Sequence, residues 1–181
     1  MNFSKYIATF DISLLKSLVS QIPESLWVSD TSRQNSFLAH KYTQSIFHTS
    51  FPFNWNPKVD KDYPLIKYSV LDKSIGQEID TIIKSLEDFY NGKVGRSMLV
   101  RLDPESVITP HTDSGPYLEC CHRCHIPIIT NDFVHFFIGN EWSIMPEGEC
   151  VEIDNTVTHS VVNYSETPRV HLIIDIIPNV V

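Results

Sequence analysis

The 181-residue chain has the length of one domain with a core of its own. Its formal charge of −8 argues against a nucleic-acid backbone or an anionic membrane as principal partner. With 42% hydrophobic and 20% charged residues the composition is that of a globular protein, and no stretch nears the roughly 18 apolar residues of a membrane span.

The first 25 residues carry no apolar secretory core. Cys120, Cys121 and Cys124 crowd together, with Cys150 apart, which suits reduced thiols better than a disulfide framework. Both features lead us to expect a cytoplasmic protein. Asp11 is placed to cap a first helix with apolar positions Leu14, Leu15, Leu18, Val19 and Ile22, stopped by Pro23. The run Phe51-Pro-Phe-Asn-Trp-Asn-Pro57 is too rich in proline and asparagine for regular structure; it reads as an aromatic satellite of the core, or else as a pocket cover. Ser74 and Gln77 are spaced as a capping box opening a second helix, whose stripe is Ile75, Ile79, Ile82, Ile83, Leu86 and Phe89. Asn91-Gly92 ends it.

From Gly95 the texture changes to short β-branched runs between turn signals. Strands are expected at 97–102, 106–109, 122–130, 133–138, 141–144, 150–153, 160–163 and 169–177. The expected fold is mainly β, a sandwich or barrel with the preceding helices on one outer face. We read 1–181 as a single domain: residues 1–95 give helical and loop support and a lid for the substrate, and 96–178 form the β core.

Within that core, His111-Thr-Asp113 puts an imidazole and a carboxylate two residues apart, able to reach one ion from a strand. His159 follows 46 residues later. Two imidazoles and one carboxylate on one face of a metal leave other positions open, as iron(II) oxygenases need. Arg169 heads the last apolar strand, where a buried charge demands a partner, and its planar fork suits a carboxylate. Arg169, His171 and Ile173 share one strand face, and Arg123 and His125 share another.

Residues 102–113 (LDPESVITPHTD), 122–131 (HRCHIPIITN), 148–159 (GECVEIDNTVTH), and 162–163 with 169–175 (VN … RVHLIID) resemble the aspartyl/asparaginyl β-hydroxylase family in order and spacing. The resemblance implies a double-stranded β-helix, or cupin-like jelly roll, working as a dioxygenase with iron(II), 2-oxoglutarate and O2. It implies that His111, Asp113 and His159 are the metal-binding catalytic residues. By the same likeness Arg169 holds the far carboxylate of 2-oxoglutarate, and Arg123 and His125 contact its metal-proximal carboxylate. Some animal members carry glycine where this chain has Asp113. At Val100 some relatives place a hydroxyl residue that helps hold the co-substrate. The segment from Arg33 to Ile46 resembles a family stretch near the substrate, which nominates His40 and Gln44 as substrate contacts. The implied reaction hydroxylates an amino-acid side chain, in a peptide or in a free amino acid such as proline or aspartate.

Two other readings compete. Cys121-x-x-Cys124 interleaved with His122-x-x-His125 has the look of a zinc half-site, without the second pair such sites use. A cupin-like module that has lost catalysis would share the fold, but it has no need of His111, Asp113, His159 and Arg169 together.

Overall fold

The computed structural model describes residues 4–52, 55–60 and 63–179. Two antiparallel sheets face each other as a jelly roll. The larger is ordered β1-β9-β6-β11-β4-β2-β3 and the smaller β5-β10-β7-β8. Their strands are β1 (Ser4–Thr9), β2 (Thr43–Ser50), β3 (Ile66–Lys67), β4 (Gly92–Leu102), β5 (Ser106–His111), β6 (His122–Ile129), β7 (Val134–Ile138), β8 (Glu141–Ser143), β9 (Glu149–Ile153), β10 (His159–Asn163) and β11 (Arg169–Pro178). Helices α1 (Ser13–Val19), α2 (Glu24–Trp27), α3 (Ser32–Ser36) and α4 (Lys73–Tyr90) precede most of them, with one 3-10 turn at Leu38–His40.

Each of the eight expected strands forms. Residues 1–95, read from the sequence as helix and loop, also contribute β1, β2 and β3 to the larger sheet. Strand alternation divides that sheet into two faces. Cys124, Ile126, Ile128, Val170, Leu172, Ile174 and Ile176 point outward, under a helical layer supplying Leu15, Val19, Ile75, Ile79, Ile82, Ile83 and Leu86. Met98, Val100, Leu102 and Ile173 face the smaller sheet.

The helix ends differ in detail from the sequence reading. Asp72, not Ser74, caps α4: its carboxylate accepts the Ser74 N–H at 2.8 Å, which relieves an orphan donor that a Ser74 cap would leave. Asn91 takes the left-handed conformation that closes α4 (φ 47°). A side chain at Gly92 would lie 2.5 Å from the Ile177 carbonyl oxygen, so glycine is needed there for close approach rather than for φ. Asp11 binds the Ser13 N–H and hydroxyl, with Ile12 as the residue before α1. Phe89, assigned by spacing to the buried stripe, is 55% exposed. No helix among the described residues is long and apolar enough to cross a membrane.

Candidate active site

His111 and His159 are direct cross-strand partners on β5 and β10, which brings their ring centroids to 4.4 Å. Asp113 lies just past β5, where the Asn155 carbonyl accepts its N–H at 2.9 Å. Its carboxylate oxygens sit 4.0 Å from His111 Nε2 and 3.7 Å from His159 Nε2. One potential ligand atom from each of the three residues falls within 4.8 Å of the others, and among the described residues this is the group placed to hold a metal. Each imidazole donates its Nδ1–H to a backbone carbonyl two residues upstream, Thr109 at 2.8 Å and Val157 at 2.9 Å. A carbonyl can only accept, so the tautomer is fixed and both Nε2 lone pairs stay free for an ion. Burial opposes charge on Asp113, but Arg123, then His159 and His111, hold its carboxyl down at about 2. The donor set therefore fits iron(II).

Behind the triad runs a line of buried polar groups. Arg123 faces Asp175 across β6 and β11 and grips it through Nε and Nη2, both at 2.8 Å, while Nη1 reaches Asp113. Asp175 also accepts from the Tyr117 hydroxyl at 2.8 Å, and that hydroxyl accepts the Arg96 N–H at 2.8 Å. Tyr117 packs into an aromatic cluster with Phe51, Trp55 and Tyr63. The described part of the aromatic loop is thus a satellite core behind the His111, Asp113 and His159 triad; Phe53 and Asn54 lie outside the described residues. Asp175→Asn should destabilise the fold by about 3 kcal/mol, because it removes one of the two carboxylates that pair with the buried Arg123 guanidinium, and chemical denaturation measures this.

Arg169 is 1% exposed, and among the described residues no carboxylate pairs with it. Its Nη2 donates to His171 Nδ1 at 2.9 Å, and its Nε has no partner. Neither His125 nitrogen has a partner, nor does His171 Nε2. So many unmet polar atoms around a buried cation are costly unless an anion satisfies them. The void between these side chains is about 30 Å³, room for about a water molecule. A dicarboxylate is larger than this void, so its walls must give way to admit one. Val100 is flanked in register by His171 on β11 and Ser45 on β2, so a donor stands on each side of the missing hydroxyl.

His40 lines the cavity with its ring edge-to-face against His111, centroids 4.9 Å apart. Gln44 does not reach the cavity. Alternation along β2 turns it to the outer face, where its amide donates to Asp103 at 3.0 Å and accepts from Arg101 at 2.8 Å. Ser45 takes the inward position. Arg33, His171, Asp175 and Tyr117 received no site role from the sequence. For His171 and Asp175 a signal existed: on β11 they fall on the face of Arg169 by simple alternation. Among the described residues the cysteines join no group placed to hold a metal. Cys124 is buried beneath Tyr90 on the helical side, and Cys121 sits half-buried at the Leu118 carbonyl.

Burial first, then neighbouring cations, holds His40 down at about 3 and His125 and His171 well below the usual imidazole range. The folded state therefore binds fewer protons than the unfolded chain below about pH 6.5, and stability present above that pH is lost on acidification. At pH 5 each imidazole should cost about 2 kcal/mol, read as a falling denaturation midpoint.

The chain is similar to solved structures of low identity. One is an oxidoreductase of the 2OG-Fe(II) oxygenase family from Burkholderia pseudomallei: 10% identity, TM-score 0.64, covering 97% of this chain and 85% of that one. Another is the viral collagen prolyl hydroxylase of Paramecium Bursaria Chlorella virus-1, at 8% identity and TM-score 0.60 over 98% of this chain and 97% of that one. A third is a Pseudomonas putida prolyl-4-hydroxylase, at 10% identity and TM-score 0.55 over 98% and 94%. At these identities the likeness is one of fold. A jelly roll that gathers two imidazoles and a carboxylate between its sheets has the build of a non-haem iron oxygenase. The profile of the aspartyl/asparaginyl β-hydroxylases matches residues 31–178, and the chain belongs to that family of iron(II)- and 2-oxoglutarate-dependent dioxygenases. By family it is a 2-oxoglutarate-dependent hydroxylase.

Proposed function

We propose that the protein hydroxylates an amino-acid side chain, peptide-borne or free, with His111, Asp113 and His159 holding iron(II). Arg169 pairs with the far carboxylate of 2-oxoglutarate, and Arg123 and His125 face its metal-proximal end. Iron and co-substrate, when bound, supply the oxidising chemistry: one atom of O2 enters the substrate C–H bond and the other enters succinate as carbon dioxide leaves. The observation that carries this reading is the buried Arg169 without a carboxylate partner, on the cavity that also holds the triad. Around it the chain positions and excludes water. The backbone carbonyls of Thr109 and Val157 orient the two imidazoles, and Arg123 keeps Asp113 ionised. His171 or Ser45 supplies the donor that Val100 lacks.

The reduced cysteines support a cytoplasmic setting, since all four are free. The charge of −8 supports a small molecule or peptide as partner rather than nucleic acid or membrane. Mass spectrometry of candidate amino acids and peptides, incubated with protein, iron(II), 2-oxoglutarate and air, tests the proposal. A gain of one oxygen on an amino-acid residue, matched by succinate, is the expected result. Succinate formation with no oxidised amino acid in any candidate would contradict the substrate class.

A further inference from the structure

Alternation along β7, β8 and β10 sends one set of side chains into the core and the other to the outside of the smaller sheet. Val134, Phe136, Ile138 and Val161 are the core set. The outward set is aromatic. His135 and Phe137 leave β7 on that side, and Trp142 on β8 is the direct partner of Phe137. The His135 ring stacks on Trp142 with centroids 4.7 Å apart, and Tyr164, just past β10, meets His135 edge to face at 5.3 Å. Phe133 lies beside Tyr164, whose N–H its carbonyl accepts at 3.0 Å. Phe133, Trp142 and Tyr164 are 64%, 58% and 59% exposed. Single exposed apolar side chains are ordinary, but a contiguous run of rings on one face marks a contact surface. The α-helices pack against strands of the larger sheet, which leaves these rings to water.

The charge around the rings is of one sign. Residues 102–168, which supply all four strands of the smaller sheet, hold eleven carboxylates and a single Lys or Arg, Arg123. Arg123 is buried and paired with Asp113 and Asp175. The four strands and their turns therefore bring no lysine or arginine to the outer face. Glu105, Asp132, Glu141 and Glu166 are exposed around it. Glu141 precedes Trp142, Asp132 precedes Phe133, and Glu166 follows Tyr164 by two residues, while the Glu105 N–H donates to the Ser165 carbonyl at 3.0 Å. Among the described residues no lysine or arginine pairs with any of the four. Ring faces are negative, so rings within a frame of carboxylates attract cations: a guanidinium stacks on a ring while its edge meets a carboxylate. We propose that the outer face of the smaller sheet docks an arginine- or lysine-bearing segment of a partner protein, with Trp142 as the central anchor.

Two other occupants fit less well. A two-fold dimer through this face would set four carboxylates of one copy against the same four of the next. A neutral glycan also stacks on rings, but it gains no charge pairing from the acidic frame. His159 and Phe136 line the metal cavity from the opposite side of the same sheet, so docking leaves that cavity open. The proposal thus stands apart from the hydroxylase reading.

Fluorescence anisotropy of dye-labelled, end-blocked peptides tests it. The probes alternate glycine with arginine, with glutamine or with glutamate, at equal length. The arginine peptide should bind and the other two should not, and added salt should weaken the binding. Any acidic protein attracts a cationic peptide, so the deciding variants are those that locate the contact. Trp142→Ala changes no charge and should weaken the arginine peptide by about tenfold or more. Its unchanged denaturation midpoint would show that it is folded. Glu141→Gln with Glu166→Gln should weaken the peptide by about threefold to thirtyfold. Glu78→Gln with Asp88→Asn on α4, an equal loss of charge behind the larger sheet, should weaken it by less than about twofold. Equal affinity of wild type and Trp142→Ala, or equal weakening by the two double variants, would overturn the proposal. So would binding of a neutral glucan oligosaccharide in place of the arginine peptide. A wild-type dimer in sedimentation that Trp142→Ala dissolves would also overturn it, since the face would then belong to a second copy.

Discussion

His111→Ala and His159→Ala should each take hydroxylation below detection and lower iron(II) affinity by more than about a hundredfold. Removing only the outer partner of a metal ligand costs about 10–100-fold, and these substitutions remove one of three ligands outright. The two imidazoles are not interchangeable with any neighbour, since each has its Nδ1 tied to the backbone and its Nε2 aimed at Asp113. His40 is near enough to raise the question of rescue, but its Nε2 is occupied by Arg33. Iron titration with activity as a parallel readout checks both. Normal turnover by either variant at limiting iron would remove the triad from the site.

Arg169 should show effects of opposite sign on binding and on stability. Arg169→Ala should raise the 2-oxoglutarate requirement roughly 30- to 1000-fold, the loss of a bidentate charge-assisted contact of about 2–4 kcal/mol. Iron affinity should change far less. Arg169→Met, by contrast, should stabilise the ligand-free fold by about 1–3 kcal/mol. A buried cation with no counter-ion costs the folded state more than an apolar side chain of similar length. A merely structural arginine would lose stability on the same substitution and leave the 2-oxoglutarate requirement alone.

The β core was legible because its strands bury apolar residues at period two between strong turns. β2 was not. Thr43, Ser45 and Thr49 are buried polar residues on a strand whose pattern reads as neither core nor surface. Thr49 satisfies its hydroxyl on Ser97 and the Gly95 carbonyl, and Ser45 turns toward Arg33, so the polarity is consumed by tertiary contacts that spacing cannot reveal. Gln44 was nominated by the resemblance of its segment alone, and only the pleat of β2 shows which of Gln44 and Ser45 points inward. β1 is short, exposed at several positions, and depends on pairing with β9.

The site was legible where chemistry is carried by residue type at fixed spacing, as in His111-x-Asp113. It was not legible where distant segments meet. Arg123 finds Asp175 across two strands 52 residues apart, and Arg33 reaches the cavity from a five-residue helix outside the β core.

The most direct test of the account is 2-oxoglutarate binding measured by calorimetry under nitrogen, with and without iron(II). The account predicts stoichiometric binding that requires the metal in the wild type. It also predicts that this binding is lost in His159→Ala and weakened roughly 30- to 1000-fold in Arg169→Ala. Binding of equal strength without metal, or binding retained in His159→Ala, would contradict the claim that triad and arginine form one site.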